Sequence, residues 1–381
     1  MSQIDRRSLA RSLLASALSL PAVAAIPRRA AAVLANASPN SNTEIAAQVQ
    51  REQVWALFRS YALAYDTADL PGFLAHFVQS DQTVFEDVTA NLSLPGYTTI
   101  AGAFSQVLAA DAAVVGAGKI YKLFHVAGDV NYGAVIEHVY PKGVFFSTNG
   151  ITVQSVIDLD GGLIARDTDY WDSRELGASD IVGPADTSGV ATPSAPVHPG
   201  GVPLSSTTPA PPGAVALATG VTGKPSASPE LVGFVQQFHA ALAAGSVRDI
   251  LSFFTEDAVY ANPLIHQGPV LYGNYDQTIQ IAGLDLIAGL FRSTIRALPD
   301  CLGSTLVHVV GGAPGGGFEW KAGGRYAGTG VNRNGLSGCT MLELFDWKIR
   351  RMSVKFDTFQ LPVNAYDGIR SVLAAAGITD Q

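Results

Sequence analysis

The residues of this chain suited to moving a proton are a few carboxylates and phenols and one strand histidine, concentrated in its first half. Tyr61 to Asp69 reads Tyr-Ala-Leu-Ala-Tyr-Asp-Thr-Ala-Asp. Val54, Leu57, Phe58, Tyr61 and Tyr65 recur at the spacing of one helical stripe, so both tyrosines are expected to point where core aliphatics point. Asp66 lies on the flank of that stripe. A carboxylate carried toward a core costs several kcal/mol unless it is paired or hydrogen-bonded, so Asp66 reads either as a pocket acid or, with Asp69, as the cap of a helix end. Thr83 to Val88 alternates like a strand and delivers Asp87 to one face. His125 stands in an apolar run, and Asp169-Tyr170-Trp171-Asp172 closes the half.

The elements that must position these residues follow in order. A helix over 44–70 is interrupted by Pro71-Gly72, and Phe73, Leu74 and Phe77 make a second short stripe. A helix is expected from about Thr98 to Leu108, followed by strand-like runs Ile120–Val126, Val130–Val139, Val144–Asp158 and Leu163–Trp171. Asp160-Gly161-Gly162 joins the last two as a hairpin. After a stretch dominated by Pro, Gly, Ser, Thr and Ala, which reads as a linker, the pattern begins again. Leu231, Phe234, Val235, Phe238 and Leu242 repeat the first stripe, each at the same distance along the chain from its counterpart. Ile349, Phe356 and Asp357 repeat Ile164, Trp171 and Asp172 at a second constant offset, slightly larger than the first. His308 answers His125. One fold is therefore expected twice: 1–43 signal and tether, 44–176 first domain, 177–228 linker, 229–363 second domain, 364–381 C-terminal helix. Because the linker has little to bury, the two domains are expected to fold independently.

This order resembles the α+β fold of the nuclear transport factor 2-like superfamily and its SnoaL-like branch. The resemblance implies two tandem cones, each with three helices packed on a strongly bent antiparallel sheet around an apolar cavity. Against scytalone dehydratase, Tyr65, Asp66 and His125 match that family's tyrosine, aspartate and first histidine, which implies a proton-transfer dyad of Asp66 and His125. Against ketosteroid isomerase, Tyr61 matches the phenol donating to the developing enolate and Asp87 the carboxylate base; Ser155 or its neighbours occupy the place of the second oxyanion acid. Against limonene epoxide hydrolase, Asp169 matches the catalytic acid, while His138 and Tyr140 replace the partner-strand residues. Tyr65, Asp169, Trp171 and Phe85 are the expected substrate-binding residues. In the second domain Phe238, Ala243 and Asn262 stand for Tyr61, Asp66 and Asp87, so its pocket is expected to be degenerate and His308 to be a hydrogen-bonded core histidine. The implied function is binding of a small, largely apolar molecule in the first domain, with cofactor-free lyase or isomerase chemistry. The alternative is a non-catalytic ligand-binding or assembly module, with the cones packing within one chain or as a homodimer.

At 381 residues, 48% hydrophobic and 15% charged, the chain can bury two sizeable cores. A net charge of −8 with no Lys/Arg cluster beyond the first thirty residues excludes a nucleic-acid partner. Nothing in the sequence calls for a metal or a cofactor, and the Gly311–Gly317 run, without a following Lys-Ser/Thr, reads as a hairpin and not a phosphate cradle. Cys301 and Cys339 are the two cysteines, and sequence leaves a bridge between them open. Arg6-Arg7, the apolar run Leu13–Ile26 and Ala22-Val23-Ala24 look like a twin-arginine export signal, which implies a periplasmic or extracellular protein with no stable membrane span after processing. Replacing Arg6 and Arg7 by Lys is expected to leave unprocessed precursor in the cytoplasmic fraction on an immunoblot; undisturbed export would remove the assignment.

Overall fold

The computed structural model describes residues 39–90, 92–141, 150–172, 214–261, 281–297, 304–322 and 336–357. The expected signal segment, the C-terminal helix, Asn262 and Cys301 lie outside them.

The first unit opens with helix α1 (Pro39–Asp66), which begins inside the stretch expected to be a tether. Val54, Phe58, Tyr61 and Tyr65 are its buried stripe. The helix ends where Ala68 takes a left-handed φ of 56°, and Asp69 then accepts the Gly72 amide to start α2 (Leu70–Leu74). Strands β1 (Val84–Asp87) and β2 (Leu92–Pro95) form a hairpin, and α3 (Tyr97–Val115) returns across the core. That helix is the one described helix long and apolar enough to cross a bilayer, but its Phe104 packs against Tyr65, Phe73 and Phe85. Strands β3 (Lys122–Asp129), β4 (Gly133–Tyr140), β5 (Ile151–Asp160) and β6 (Leu163–Trp171) complete the sheet.

From Ala214 the stretch expected to be linker is already structured. It forms the single turn α4 (Ala214–Leu217), buries Leu217 and Ala227, and sends Ser226 Oγ to the Val309 carbonyl.

The second unit repeats the plan of the first with α5 (Pro229–Ala244), α6 (Val247–Leu251), β7 (Phe254–Ala261), β8 (Ile281–Ala282), α7 (Leu284–Ala297), β9 (Thr305–Gly312), β10 (Gly315–Lys321), β11 (Ser337–Phe345) and β12 (Lys348–Phe356). The strand orders, β2-β1-β6-β5-β4-β3 and β8-β7-β12-β11-β10-β9, are the same. The mixed content and the two six-stranded sheets fit two nuclear transport factor 2-like domains. Neither sheet is wholly antiparallel, however. Strand β1 runs parallel to β6 with Val84 opposite Arg166, and β7 runs parallel to β12, because the strand after the helices re-enters beside the last strand of its unit in the same direction.

The units are not independent. Their sheets pack outer face to outer face through Ala127, Val135, Val156 and Tyr170 on one side and Val310, Cys339 and Met341 on the other. At Gly317 a Cβ would lie 2.2 Å from the Thr340 carbonyl oxygen of its own sheet and 2.6 Å from Val135 Cγ2 of the first unit, so glycine serves both the strand pairing and the close approach of the units. Charge pairs ring this patch with a pseudo-twofold relation. Arg166 donates to both oxygens of Glu319 at 2.7 and 2.8 Å, and Arg351, the counterpart of Arg166 in the second unit, donates to Glu137 at 2.9 Å. His308 Nε2 lies 2.6 Å from Asp158, and His125 Nδ1 lies 3.6 Å from Glu343, itself the counterpart of Asp158. Near the axis the equivalent residues Gln154 and Cys339 meet, the thiol donating to Gln154 Oε1 at 3.1 Å. The composition of a linker carries no information about the faces it joins, and for that reason the sequence suggested independence.

Burial alone would raise Glu137, but Arg351 and the surrounding donors hold it down at about 2. Removing one member of a buried ion pair strands the other. Glu137→Ala is therefore expected to cost about 3–5 kcal/mol, read by urea denaturation, with both units unfolding in one transition. Two separated transitions would contradict the shared interface.

Candidate active site

Strand β6 puts alternate side chains on opposite faces. Arg166, Thr168 and Tyr170 face the second unit or the sheet edge, while Asp167, Asp169 and Trp171 face the interior of the first, under α1. Asp167 accepts a hydrogen bond from Tyr61 Oη at 3.1 Å. Asp169 lies opposite Ser155 in the β5–β6 register, and Ser155 Oγ is 2.5 Å from Asp169 Oδ1. His138 Nε2 is 2.9 Å from the same Oγ, and its ring is stacked on Tyr121 with centroids 4.5 Å apart. Tyr65 packs between Tyr121 and Tyr140 at 5.0 and 5.6 Å. At the end of the strand, Trp171 Nε1 donates to both oxygens of Asp87, which also accepts the Ala90 amide.

Every one of these groups is buried, and none of the described residues in the cluster is a Lys or Arg. Burial is consequently the leading cause of each shift. It raises Asp87 to about 6 and Asp167 to about 7, the latter against the hydrogen bond from Tyr61 and the Arg166 charge on the other face. It raises Asp169 well above the carboxylate range, helped by the charges of Asp167 and Asp87. The same burial lowers His138 to about 3, so its imidazole is neutral. Two carboxyls of one strand face thus retain a proton near neutrality. With Asp169 ionised, Ser155 donates to it and accepts from His138; with Asp169 protonated the sense of the chain reverses. Asp169, Ser155 and His138 therefore form one hydrogen-bonded chain whose sense follows the protonation of Asp169. Tyr121 Oη, His138 Nδ1 and Asp167 Oδ1 have no hydrogen-bond partner among the described residues. A buried acceptor and a buried hydroxyl left unmet favour a ligand or water polar group between them.

The structure places Tyr61, Tyr65, Asp87, Asp169 and Trp171 in this interior, and Phe85 beside it against Phe104. It does not bring Asp66 and His125 together. Asp66 accepts the Ile120 and Tyr121 amides at 2.7 and 3.0 Å, tying the end of α1 to the chain entering β3. His125 is on the opposite face toward Glu343, because the register of β3 slips between Leu123 and His125 and the extra residue turns the histidine outward. Asp167 and Tyr121 are the residues of this cluster that motif matching passed over, while Ser155, His138 and Tyr140 were met only as replacements for residues of other families. The available signal was Asp-x-Asp in a buried strand, which puts two acids on one face.

The interior of the second unit lacks the acids. Thr340, Met352 and Val354 stand where Ser155, Asp167 and Asp169 stand in the first unit, and Met352 and Val354 belong to an apolar core with Phe238 and Leu242. His308 is the hydrogen-bonded histidine expected, with Asp158 as its partner. No group of three or more His, Cys, Asp or Glu suited to a metal is present among the described residues.

No family model matches the chain, and no curated protein matches it by sequence. Solved structures do. A SnoaL-like protein of unknown function from Burkholderia thailandensis is 14% identical over 32% of this chain and 92% of its own, with a TM-score of 0.25. A nuclear transport factor 2-like protein from Burkholderia xenovorans is 11% identical over 32% and 84%, with a TM-score of 0.25. A protein with a ketosteroid isomerase-like fold from Catenulispora acidiphila, solved with trimethylamine, is 15% identical over 32% and 88%, with a TM-score of 0.27.

The protonated pair has a thermodynamic signature. An unfolded aspartate has lost its proton above about pH 4, so near pH 7 the folded state binds more protons than the unfolded one, and stability falls as pH rises. His138, His76 and His239, all lowered first by burial, act with the opposite sign, but only below about pH 6.5, where unfolded imidazoles take up protons. Between about pH 6.5 and 8 the melting temperature is expected to fall, and Asp167→Asn is expected to flatten that fall. A melting temperature that rises across this window would contradict the pair.

Proposed function

We propose that the first unit is a SnoaL-like cone that binds a small, largely apolar carbonyl compound and moves a proton on it without a cofactor, in a protein exported by its twin-arginine signal. The observation that supports this reading is the buried pair Asp167 and Asp169, holding a proton on a face without a cation. Ionised Asp167 takes a proton from the carbon beside the carbonyl, and the C–H electron pair moves toward the oxygen. Protonated Asp169 and the Tyr121 hydroxyl donate to that oxygen as its charge develops. Asp167 then returns a proton: to the same carbon after its own proton has exchanged with water, which gives exchange of hydrogen with solvent, or, where a carbon–carbon double bond is conjugated with the enolate, to the far end of that double bond, which gives an isomerisation with the double bond shifted. Tyr61 holds Asp167 in place, and Ser155, itself held by His138, holds Asp169.

A second reading, a ligand-binding or assembly module without turnover, is favoured by the extensive packing of the two units. One experiment separates them. In deuterated water, a panel of small cyclic ketones is followed by NMR for deuterium incorporation beside the carbonyl. The catalytic reading expects enzyme-dependent exchange that falls by roughly two to four decades in Asp167→Asn, while the melting temperature is not lowered. Ligand-induced thermal shifts with no exchange would establish the binding reading instead, and exchange unaffected by the substitution would overturn the assignment of Asp167.

A further inference from the structure

The strand that presents the acids is held from behind by the other unit. Outward-facing Arg166 and Tyr170 flank Asp167 and Asp169 in sequence, and both end on one carboxylate: Arg166 reaches Glu319 Oε2 and Oε1, and Tyr170 Oη donates to Oε1 at 2.7 Å. Glu319 is 1% exposed. Between them, Thr168 Oγ1 donates to Glu86 Oε2, which also accepts Arg166 Nε at 3.1 Å. On the neighbouring strand, Gln154 beside Ser155 is bonded to Ser353 and Cys339 of the second unit. All three outward residues between positions 166 and 170 are thus fixed, two of them by Glu319.

We propose that Glu319 of the second unit is a positioning residue for the acid pair of the first: it neutralises Arg166 and fixes the pleat of β6, so the second unit is a built-in partner that sets the first unit's site. The proposal rests on the reading of Asp167 and Asp169 as the working acids. It explains why a unit whose own interior has Met352 and Val354 in place of the acids keeps a charged outer face.

The charge environment of the pair gives the proposal a sign. From the interior it faces Tyr61 and Tyr65 of α1, Asp87 of β1, Tyr121 ahead of β3 and His138 and Tyr140 of β4. From behind, the one cation among the described residues acting on Asp167 is Arg166, itself raised by Glu319, Glu86 and Asp158 against the effect of its burial. With Glu319 neutral, more of the Arg166 charge acts through the sheet on Asp167 and its proton is released at lower pH.

The test is carried out on the full chain, with aspartate labelled with carbon-13 at the side-chain carboxyl and the Asp167 resonance assigned by its loss in Asp167→Asn. In the native protein a carboxyl titrating near neutrality is expected; its absence would defeat the reading of the acid pair, whatever Glu319 does. Given that titration, Glu319→Gln is expected to lower the Asp167 midpoint by roughly one pH unit, the size of environmental shifts common in folded proteins. The double variant Arg166→Gln/Glu319→Gln should return it toward the native value. A merely structural role would lower thermal stability in both variants and leave the midpoint in place, and that outcome would overturn the proposal. If Glu319→Gln does not fold, Glu319→Asp keeps the charge but draws it back from Arg166; a smaller downward shift supports the proposal, and an unmoved midpoint overturns it.

Discussion

A guanidinium removed from water costs several kcal/mol unless carboxylates meet it with good geometry. Arg166 is met from its own sheet by Glu86 and from the facing sheet by Glu319. The second contact exists only if the two sheets lie back to back in one register, so this charge ties the relative position of the units to the course of β6. The mirror pair, Arg351 with Glu137, makes the same demand from the other side. Between them lies a small apolar patch. The two ion pairs and the flanking His308–Asp158 contact decide which way the patch is faced, since a slid or rotated arrangement would leave charges buried and unmet.

The interior of the first unit follows the opposite rule. There no cation among the described residues meets the carboxyls, and burial is relieved by keeping protons on them. One strand therefore serves two electrostatic regimes a pleat apart: ionised and paired on the outer face, largely neutral and hydrogen-bonded on the inner. The second unit retains only the outer regime. Replacing Asp167 and Asp169 by Met352 and Val354 relieves the cost of burying carboxyls, and both side chains join the apolar cluster that contains Phe238.

Much of this was legible in the sequence, for reasons that also explain the rest. The helix stripe from Val54 to Tyr65 is a local periodicity, and its return from Leu231 to Leu242 is a pattern of residue types; both survive without knowledge of the fold. The fate of Asp66 is decided by the amides of Ile120 and Tyr121, far along the chain, which no spacing reveals. His125 was assigned to the interior by its match to a family histidine and by its apolar neighbours, neither of which shows the slip in register at Phe124 that puts it on the face opposite to Leu123. Asp167 matched no familiar motif; its importance comes from Tyr61 above it and Asp169 beside it. The outer faces of the sheets read as ordinary strand residues because charges meant for a facing sheet look, in one dimension, like charges meant for water.

The contact of Gln154 with Cys339 near the pseudo-twofold axis carries a further meaning. In an assembly of two identical chains, a residue on the axis meets its own copy, so glutamine would face glutamine and thiol would face thiol. Joining both units in one polypeptide lifts that restriction and lets the two positions differ, one offering an acceptor and the other a donor. It also makes the partnership insensitive to dilution, because the meeting of the two units is then an intramolecular event.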